Sequence, residues 1–235
     1  MDNLNPAIIH LNEDGSTGFE RCQNGKHEKR HAAVGDFLDG KFVICGGGHS
    51  NKCQAIDESN SYAFQMEANG RTYASHIKLN KSTIWITGGR DVNGHAISST
   101  EFVNINGSSS GINLPFTVFG HCMVEYKGQA ILISGKQDGI DKSSNNTWII
   151  DLNNGFKVTE GPPLKNGRRH HSCGKIRDKY GNILLIIAGG ENKKSVEVLN
   201  TSVMKEWIES KRLFQKAMYF IFNNDCNNYS TKSTT

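Results

Sequence analysis

The sequence predicts an all-β fold built from repeated four-stranded units, the blades of a β-propeller, and three observations carry that prediction. An apolar run ending in glycine recurs four times: Phe42-Val-Ile-Cys-Gly-Gly-Gly48, Ile84-Trp-Ile-Thr-Gly-Gly89, Ile131-Leu-Ile-Ser-Gly135 and Leu184-Leu-Ile-Ile-Ala-Gly-Gly190. With Gly47, Gly88, Gly135 and Gly189 as markers, the copies stand 41, 47 and 54 residues apart, the period of a supersecondary repeat. Further apolar segments flank each run, bringing the count to four strands per copy, which is one blade.

In each copy the first, inner strand is read from a segment led by a basic residue or His: Arg30-His31-Ala-Ala-Val34, Arg71-Thr-Tyr73, Gly120-His121-Cys-Met-Val124 and Arg169-His-His171. The glycine-terminated run is the second strand. A strand near the centre of a propeller is covered by neighbouring blades on both faces, so it reads as continuous apolar sequence, as in Ile183 to Ala188. The third strand is Cys53 to Asp57, Thr100 to Ile105, Thr147 to Leu152 and Ser195 to Leu199. The fourth surrounds an aromatic, Tyr62, Phe156 or Trp207, with none filling the slot near Ile112. Gly46, Gly47, Gly88, Gly89, Gly135, Gly189 and Gly190 serve the sharp turn and the crowding where blades converge. A β-sandwich with glycine-rich turns is the alternative, and fourfold recurrence of the whole pattern weighs against it.

The blades are placed at about 28–67, 71–112, 120–160 and 168–210, in a single domain over 1–222, with 223–235 a polar tail expected to be disordered. The ends supply pieces of a fifth blade. Ala7 to Leu11 and Gly18 to Glu20 match outer strands, while Arg212-Leu-Phe214 and Met218 to Phe222 match inner ones, with Asn223-Asn224 where a double glycine belongs. A fifth blade shared by the termini pairs edges that would otherwise template aggregation.

Together these features resemble the kelch repeat family, whose blade carries a double glycine after the second strand and a spaced aromatic, often Trp, near the fourth. The resemblance covers about residues 28 to 210. The chain departs from the pattern at Lys136, read as standing in place of the second glycine of its copy, and at Tyr62 and Phe156, where Trp is commoner. The resemblance implies a kelch-type propeller that binds another protein on a loop-built face, as a substrate-recognition or scaffold component. Many kelch chains pair the propeller with a BTB domain and serve cullin-based ubiquitin ligases; no BTB sequence is present between Met1 and Thr235. A galactose-oxidase-like, carbohydrate-active propeller is the runner-up, although no copper-ligand set can be matched residue by residue.

Net charge decides little about function. The net charge of +4, from 27 basic and 23 acidic residues, is too mild for a nucleic-acid interface, and no stretch has the length of a membrane span. The start, Met1 to Ile9, lacks the order of a signal peptide, so the expected compartment is the cytoplasm. Six cysteines and five sequons, opening at Asn80, Asn106, Asn145, Asn200 and Asn228, raise an extracellular alternative. Free thiols are the expectation; the candidate bridges are Cys45 with Cys53 inside one blade and Cys122 with Cys173 between neighbouring blades.

Basic residues gather in the turns entering each inner strand and after the glycines. Arg30, Arg71, Arg90, Arg168 and Arg169 are therefore the candidate partner-binding set. Kelch propellers open both loop types on one face, and planar guanidinium groups suit carboxylates, so an acidic peptide is the expected ligand. The competing role for each arginine is to brace neighbouring loop carbonyls. His31, His121 and His171 hold similar places but sit on separate inner strands, so no metal or cofactor is expected. No enzyme is expected either. The chain has no Gly-x-Ser-x-Gly elbow and no His-Glu-x-x-His, and the pairs Asp138 with Asp141 and Asp57 with Glu58 lie at turns, where acids are ordinary.

Overall fold

The computed structural model describes residues 7–11, 17–21, 30–48, 50–57, 60–67, 70–191 and 193–210. The chain divides into two compact units, Met1–Arg30 and His31–Thr235. The first contains an antiparallel hairpin of β1 (Ala7–Leu11) and β2 (Thr17–Arg21), registered from Ala7 opposite Arg21 to Leu11 opposite Thr17.

The second unit holds four four-stranded antiparallel sheets, each formed by strands consecutive in the chain. The first sheet is β3 (Val34–Leu38), β4 (Lys41–Cys45), β5 (Lys52–Ile56) and β6 (Ser61–Gln65); the second is β7 (Ser75–Asn80), β8 (Thr83–Thr87), β9 (Thr100–Asn104) and β10 (Gly107–Ser110). The third is β11 (Cys122–Tyr126), β12 (Gln129–Ile133), β13 (Thr147–Asp151) and β14 (Lys157–Glu160), and the fourth is β15 (Ser172–Arg177), β16 (Ile183–Ala188), β17 (Val196–Asn200) and β18 (Trp207–Glu209). Each sheet falls inside one sequence repeat. The first strands β3, β7, β11 and β15 lie side by side in that order, a propeller-like succession of blades. Among the described residues there is no helix, and none long and apolar enough to cross a membrane.

The core lies between the blades. On β8, Ile84 and Ile86 face the first sheet with Val43, Cys53 and Ala55, while Trp85 faces the third with Ala130, Leu132 and Ile150. On β12, Ile131 and Ile133 point the other way, onto Leu185, Ile187, Leu199 and Trp207 of the fourth sheet. Alternation thus persists, but both faces are buried, which is why the second strands read as unbroken apolar runs. Each such side chain contributes roughly 1.5–3 kcal/mol.

The first strands begin later than the sequence suggests. Ala32, Tyr73, Gly120 and His170 have φ of 56°, 55°, 61° and 54°, a left-handed conformation incompatible with a strand, so the segments led by His or Arg are turns. Their amides link the blades: Tyr73 N–H donates to Ala32 O (3.2 Å), Gly120 N–H to Tyr73 O (2.8 Å) and His170 N–H to Gly120 O (2.8 Å).

A second correction concerns the third repeat. Ser134, at φ 61°, takes the first-glycine position, and Gly135, at φ 100°, takes the second, matching Gly88 at 56° and Gly89 at 105°. Lys136 therefore corresponds to Arg90, and each pairs by backbone with the preceding inter-blade turn, Lys136 with Phe119 and Arg90 with Thr72. Ser134 is tolerated because its hydroxyl lies 2.6 Å from Arg168 O and accepts the Arg168 N–H at 2.9 Å. At Gly89 a Cβ would stand 2.7 Å from Thr72 O, and nothing larger than glycine fits.

The aromatics near the fourth strands divide. Trp207 is buried in the core between the third and fourth sheets, and Tyr62 is exposed. Phe156 precedes β14 and packs 4.9 Å from Trp85 and 5.7 Å from Phe102. The proposed inner strands Arg212 to Phe214 and Met218 to Phe222, and the tail 223–235, lie outside the described residues.

The expectation of free thiols is overturned for four of the six cysteines, while Cys22 and Cys226 lie outside the described residues. Cys45 bridges Cys53, its partner across β4 and β5, with Cα atoms 4.0 Å apart, and Cys122 bridges Cys173 across neighbouring blades, with Cα atoms 6.0 Å apart. Adjacent first strands bring the second pair together although 51 residues separate it in sequence, against 8 for the first. Loop-closure entropy assigns about 4 kcal/mol to the longer loop and about 2.5 kcal/mol to the shorter. Urea unfolding of the Cys122→Ser/Cys173→Ser variant should show a stability loss near the larger figure, and reductant should then lower stability further only by the smaller.

Candidate functional site

The turns after the glycines and the turns between blades meet at one end of the sheets. Gly47 N–H donates to Arg71 O (2.8 Å), Gly89 N–H to Val118 O (2.8 Å) and Gly135 N–H to Arg168 O (2.9 Å), so each glycine turn is sewn to the chain entering the next blade. Of the candidate arginines, Arg71, Arg90, Arg168 and Arg169 stand in these turns; Arg30 is half-buried and belongs to the N-terminal unit.

Arg71 and Arg168 are buried, at 1% and 0% exposure. Arg71 Nη1 donates to Gly88 O and Ser99 O, both at 3.0 Å, and Glu101 lies 3.6 Å away. Arg168 repeats the arrangement, with Nη1 on Gly189 O (2.9 Å) and Ser195 O (3.0 Å) and Nη2 on Glu197 (2.5 Å). The two glutamates then hold the exit of the preceding blade, Glu101 accepting Glu67 N–H and Glu197 accepting Lys165 N–H, each at 2.7 Å. These arginines therefore brace loop carbonyls, and their guanidinium groups do not meet solvent. A sequence signal existed but was missed: Arg71 with Glu101 and Arg168 with Glu197 recur at nearly the same spacing, whereas in the third blade both places are apolar, Val118 and Trp148.

Arg90 and Arg169 are different. The Arg90 guanidinium stacks 3.9 Å from the Phe119 ring centre and has no carboxylate partner among the described residues. Arg169 approaches the same ring at 6.0 Å and is ion-paired with Glu191. Beside them, Tyr73 packs edge-on against His31 (5.3 Å) and His170 (4.4 Å), and its hydroxyl lies 3.4 Å from His31 Nε2. Below this rim is a cavity of about 180 Å³ walled by Tyr73, His170, His121 and His171 and by the small residues Ala33 and Ala74.

The cavity imidazoles are neutral. Burial, with His171 nearby, depresses His121 to about 3; burial and the Arg168 charge depress His171 to about 4. His170 is lowered by burial and then by Arg169. His121 Nε2 and Thr87 Oγ1 share a hydrogen bond (2.8 Å), and the same hydroxyl lies 2.8 Å from Met123 Sδ, so the ring is held from behind. Among the described residues, no three His, Cys, Asp or Glu side chains are grouped to hold a metal.

Two outcomes follow. Breaking a buried pair by removing one partner strands the other charge, so Arg168→Met or Glu197→Gln should each lower unfolding free energy by about 3–5 kcal/mol in denaturant titrations. The double variant Arg168→Val/Glu197→Trp, which imitates the third blade, should lose less than the sum. For the histidines, the unfolded chain takes up protons below about 6.5 and the folded chain does not until about 4 at His171. The unfolded state binds more protons in that window, so stability falls as pH drops from about 6.5 toward 4, and urea midpoints should show a shallower fall for His171→Asn.

No family model and no curated protein matches the chain. Solved structures do. The structure of YjhT superposes with a TM-score of 0.71 over 87% of this chain and 77% of its own, at 14% sequence identity. At that identity the likeness shows the fold alone.

Proposed function

We propose that this chain is a kelch-type propeller whose loop face holds an acidic segment of another protein, with Arg90 and Arg169 at the point of contact. The observation that carries this reading is the Arg90 guanidinium, fixed on Phe119 and without a carboxylate of its own among the described residues. A cation stacked on a ring keeps its in-plane N–H donors, and a carboxylate arriving from solvent meets them as a planar bidentate pair. Arg169 adds a second positive charge on the same ring, shared with Glu191. The buried arginines support the site from beneath by fixing the turns. We read each of the four sheets as one blade of a kelch-type propeller, and the fifth blade expected from the two ends of the sequence remains part of this proposal.

One observation favours a second reading, of compartment. Two disulfides, one closing a loop of 51 residues, suit an oxidising environment better than the cytoplasm. We therefore place the propeller outside the cytosol, as a secreted or lumenal binding module rather than a ubiquitin-ligase adaptor.

Fluorescence anisotropy with a labelled poly-glutamate peptide tests the binding face. The wild-type chain should bind, Arg90→Glu/Arg169→Glu should weaken binding by tenfold or more, about 1.4 kcal/mol, and a poly-lysine peptide should not bind. Equal affinity for both chains would remove the arginines from the site.

A further inference from the structure

The bridges and the sequons bear on one another. The structure separates the sequons by what each amide is doing. At Asn145 the side-chain amide nitrogen donates to Leu164 O (3.2 Å), and the hydroxyl-bearing Thr147 of the same sequon is buried. Asn200 is half-buried at the end of β17, where its Oδ1 accepts Ser202 N–H at 2.9 Å and Thr201 Oγ1 donates to Ile183 O at 2.7 Å. A glycan on Asn145 would break a bond that ties one loop to another, and one on Asn200 would have to leave a packed turn.

At Asn80 and Asn106 no bond of the carboxamide nitrogen ties the side chain to another loop among the described residues, although Ser108 of the second of these sequons accepts Glu67 N–H at 3.0 Å. Both asparagines are exposed, and both sit in tight turns of the second blade. Asn80 ends β7, and its Oδ1 accepts Ser82 N–H (2.9 Å), a bond that uses the oxygen and not the nitrogen of the carboxamide. Asn106 lies in the turn between β9 and β10, where its backbone N–H is satisfied by Asn104 Oδ1 at 2.8 Å. Strand β8 runs from the Asn80 turn to Gly88, so both turns lie at the end of the sheet away from the glycine loops, separated from them by a five-residue strand, roughly 17 Å.

We propose that this chain is N-glycosylated at Asn80 and Asn106, which clothes the far end of the second blade and leaves the loop face bare for its partner. The reaction is a transfer from a polyprenyl diphosphate-linked oligosaccharide. A bond forms between Asn Nδ2 and the anomeric carbon, the bond from that carbon to the diphosphate oxygen breaks, the diphosphate leaves, and the amide gives up one proton. The proposal rests on the oxidising-compartment reading and is independent of the acidic ligand.

The test is peptide mass spectrometry on the protein purified from its source, with N-glycosidase digestion in ¹⁸O water and alkylation before and after reduction. The expected result is labelled aspartate at positions 80 and 106, with Cys45, Cys53, Cys122 and Cys173 alkylated only after reduction. Intact bridges with both peptides recovered solely as unmodified asparagine would overturn the glycan assignment while sparing the compartment. Cysteines that alkylate without reduction would overturn the compartment and the glycans with it. In a eukaryotic secretory host, Asn80→Gln and Asn106→Gln should each remove one glycan's mass while leaving poly-glutamate binding unchanged. A double variant that loses no mass would also sink the proposal.

Discussion

Trp85 points at one neighbouring sheet while Ile84 and Ile86, on either side of it in β8, point at the other, and the rest of the molecule depends on satisfying both. A sheet with two apolar faces cannot stop at a two-layer sandwich. It must be covered on each side, and repeating the unit provides the cover. Because the strands of each sheet are consecutive in the chain, every repeat delivers a whole sheet, and the connections between sheets are forced to one end. That end is where the glycine turns and the inter-blade turns crowd together, and where Gly89 has no room for a side chain. The site is therefore a by-product of packing: loops meet there because the faces elsewhere are buried.

Crowded turns contain carbonyls that point inward, and the chain fills the space beside them in two chemically distinct ways. In the second and fourth blades a buried arginine spans the carbonyls and is neutralised by a glutamate, Glu101 or Glu197. In the third, Val118 and Trp148 replace the pair; Val118 joins the core between the second and third sheets and Trp148 stacks on Phe116 at 4.5 Å. Both solutions are stable because a buried ion pair and a well-packed apolar pair differ little in free energy, whereas a lone charge would be costly. The substitution had to involve both positions. The arginines on the rim, Arg90 and Arg169, stand outside this pairing and lie against Phe119 instead.

The four repeats were legible in the sequence because apolar runs on doubly covered strands and glycines at crowded turns are local signals. The start of each inner strand was not. Ala32, Tyr73 and His170 are ordinary residues held at positive φ beside backbone bonds to a neighbouring blade, and nothing local announces a tertiary constraint. Ser134 misled for the same reason, since a serine in a glycine position looks like a shifted register until its hydroxyl is seen between two chain segments. The arginines were found as a class but could not be sorted. Arg168 and Arg169 are adjacent in sequence, yet one is buried on Glu197 and the other faces the rim with Glu191, because their side chains leave opposite sides of a turn.

The bridge between Cys122 and Cys173 gives the rim its rigidity. It joins the first residue of β11 to the second residue of β15, directly below the turns that carry His121 and His171 into the cavity wall. Packing alone allows neighbouring blades to tilt against one another, since apolar contact is not directional. A covalent link at the inner strands removes that freedom where the blades are closest, and the amide chain from Ala32 through Tyr73 and Gly120 to His170 removes it one turn higher. A rim fixed at two levels would lose little conformational entropy on meeting a ligand, which is what the proposed acidic partner would need from a face that offers one stacked guanidinium and one shared ion pair.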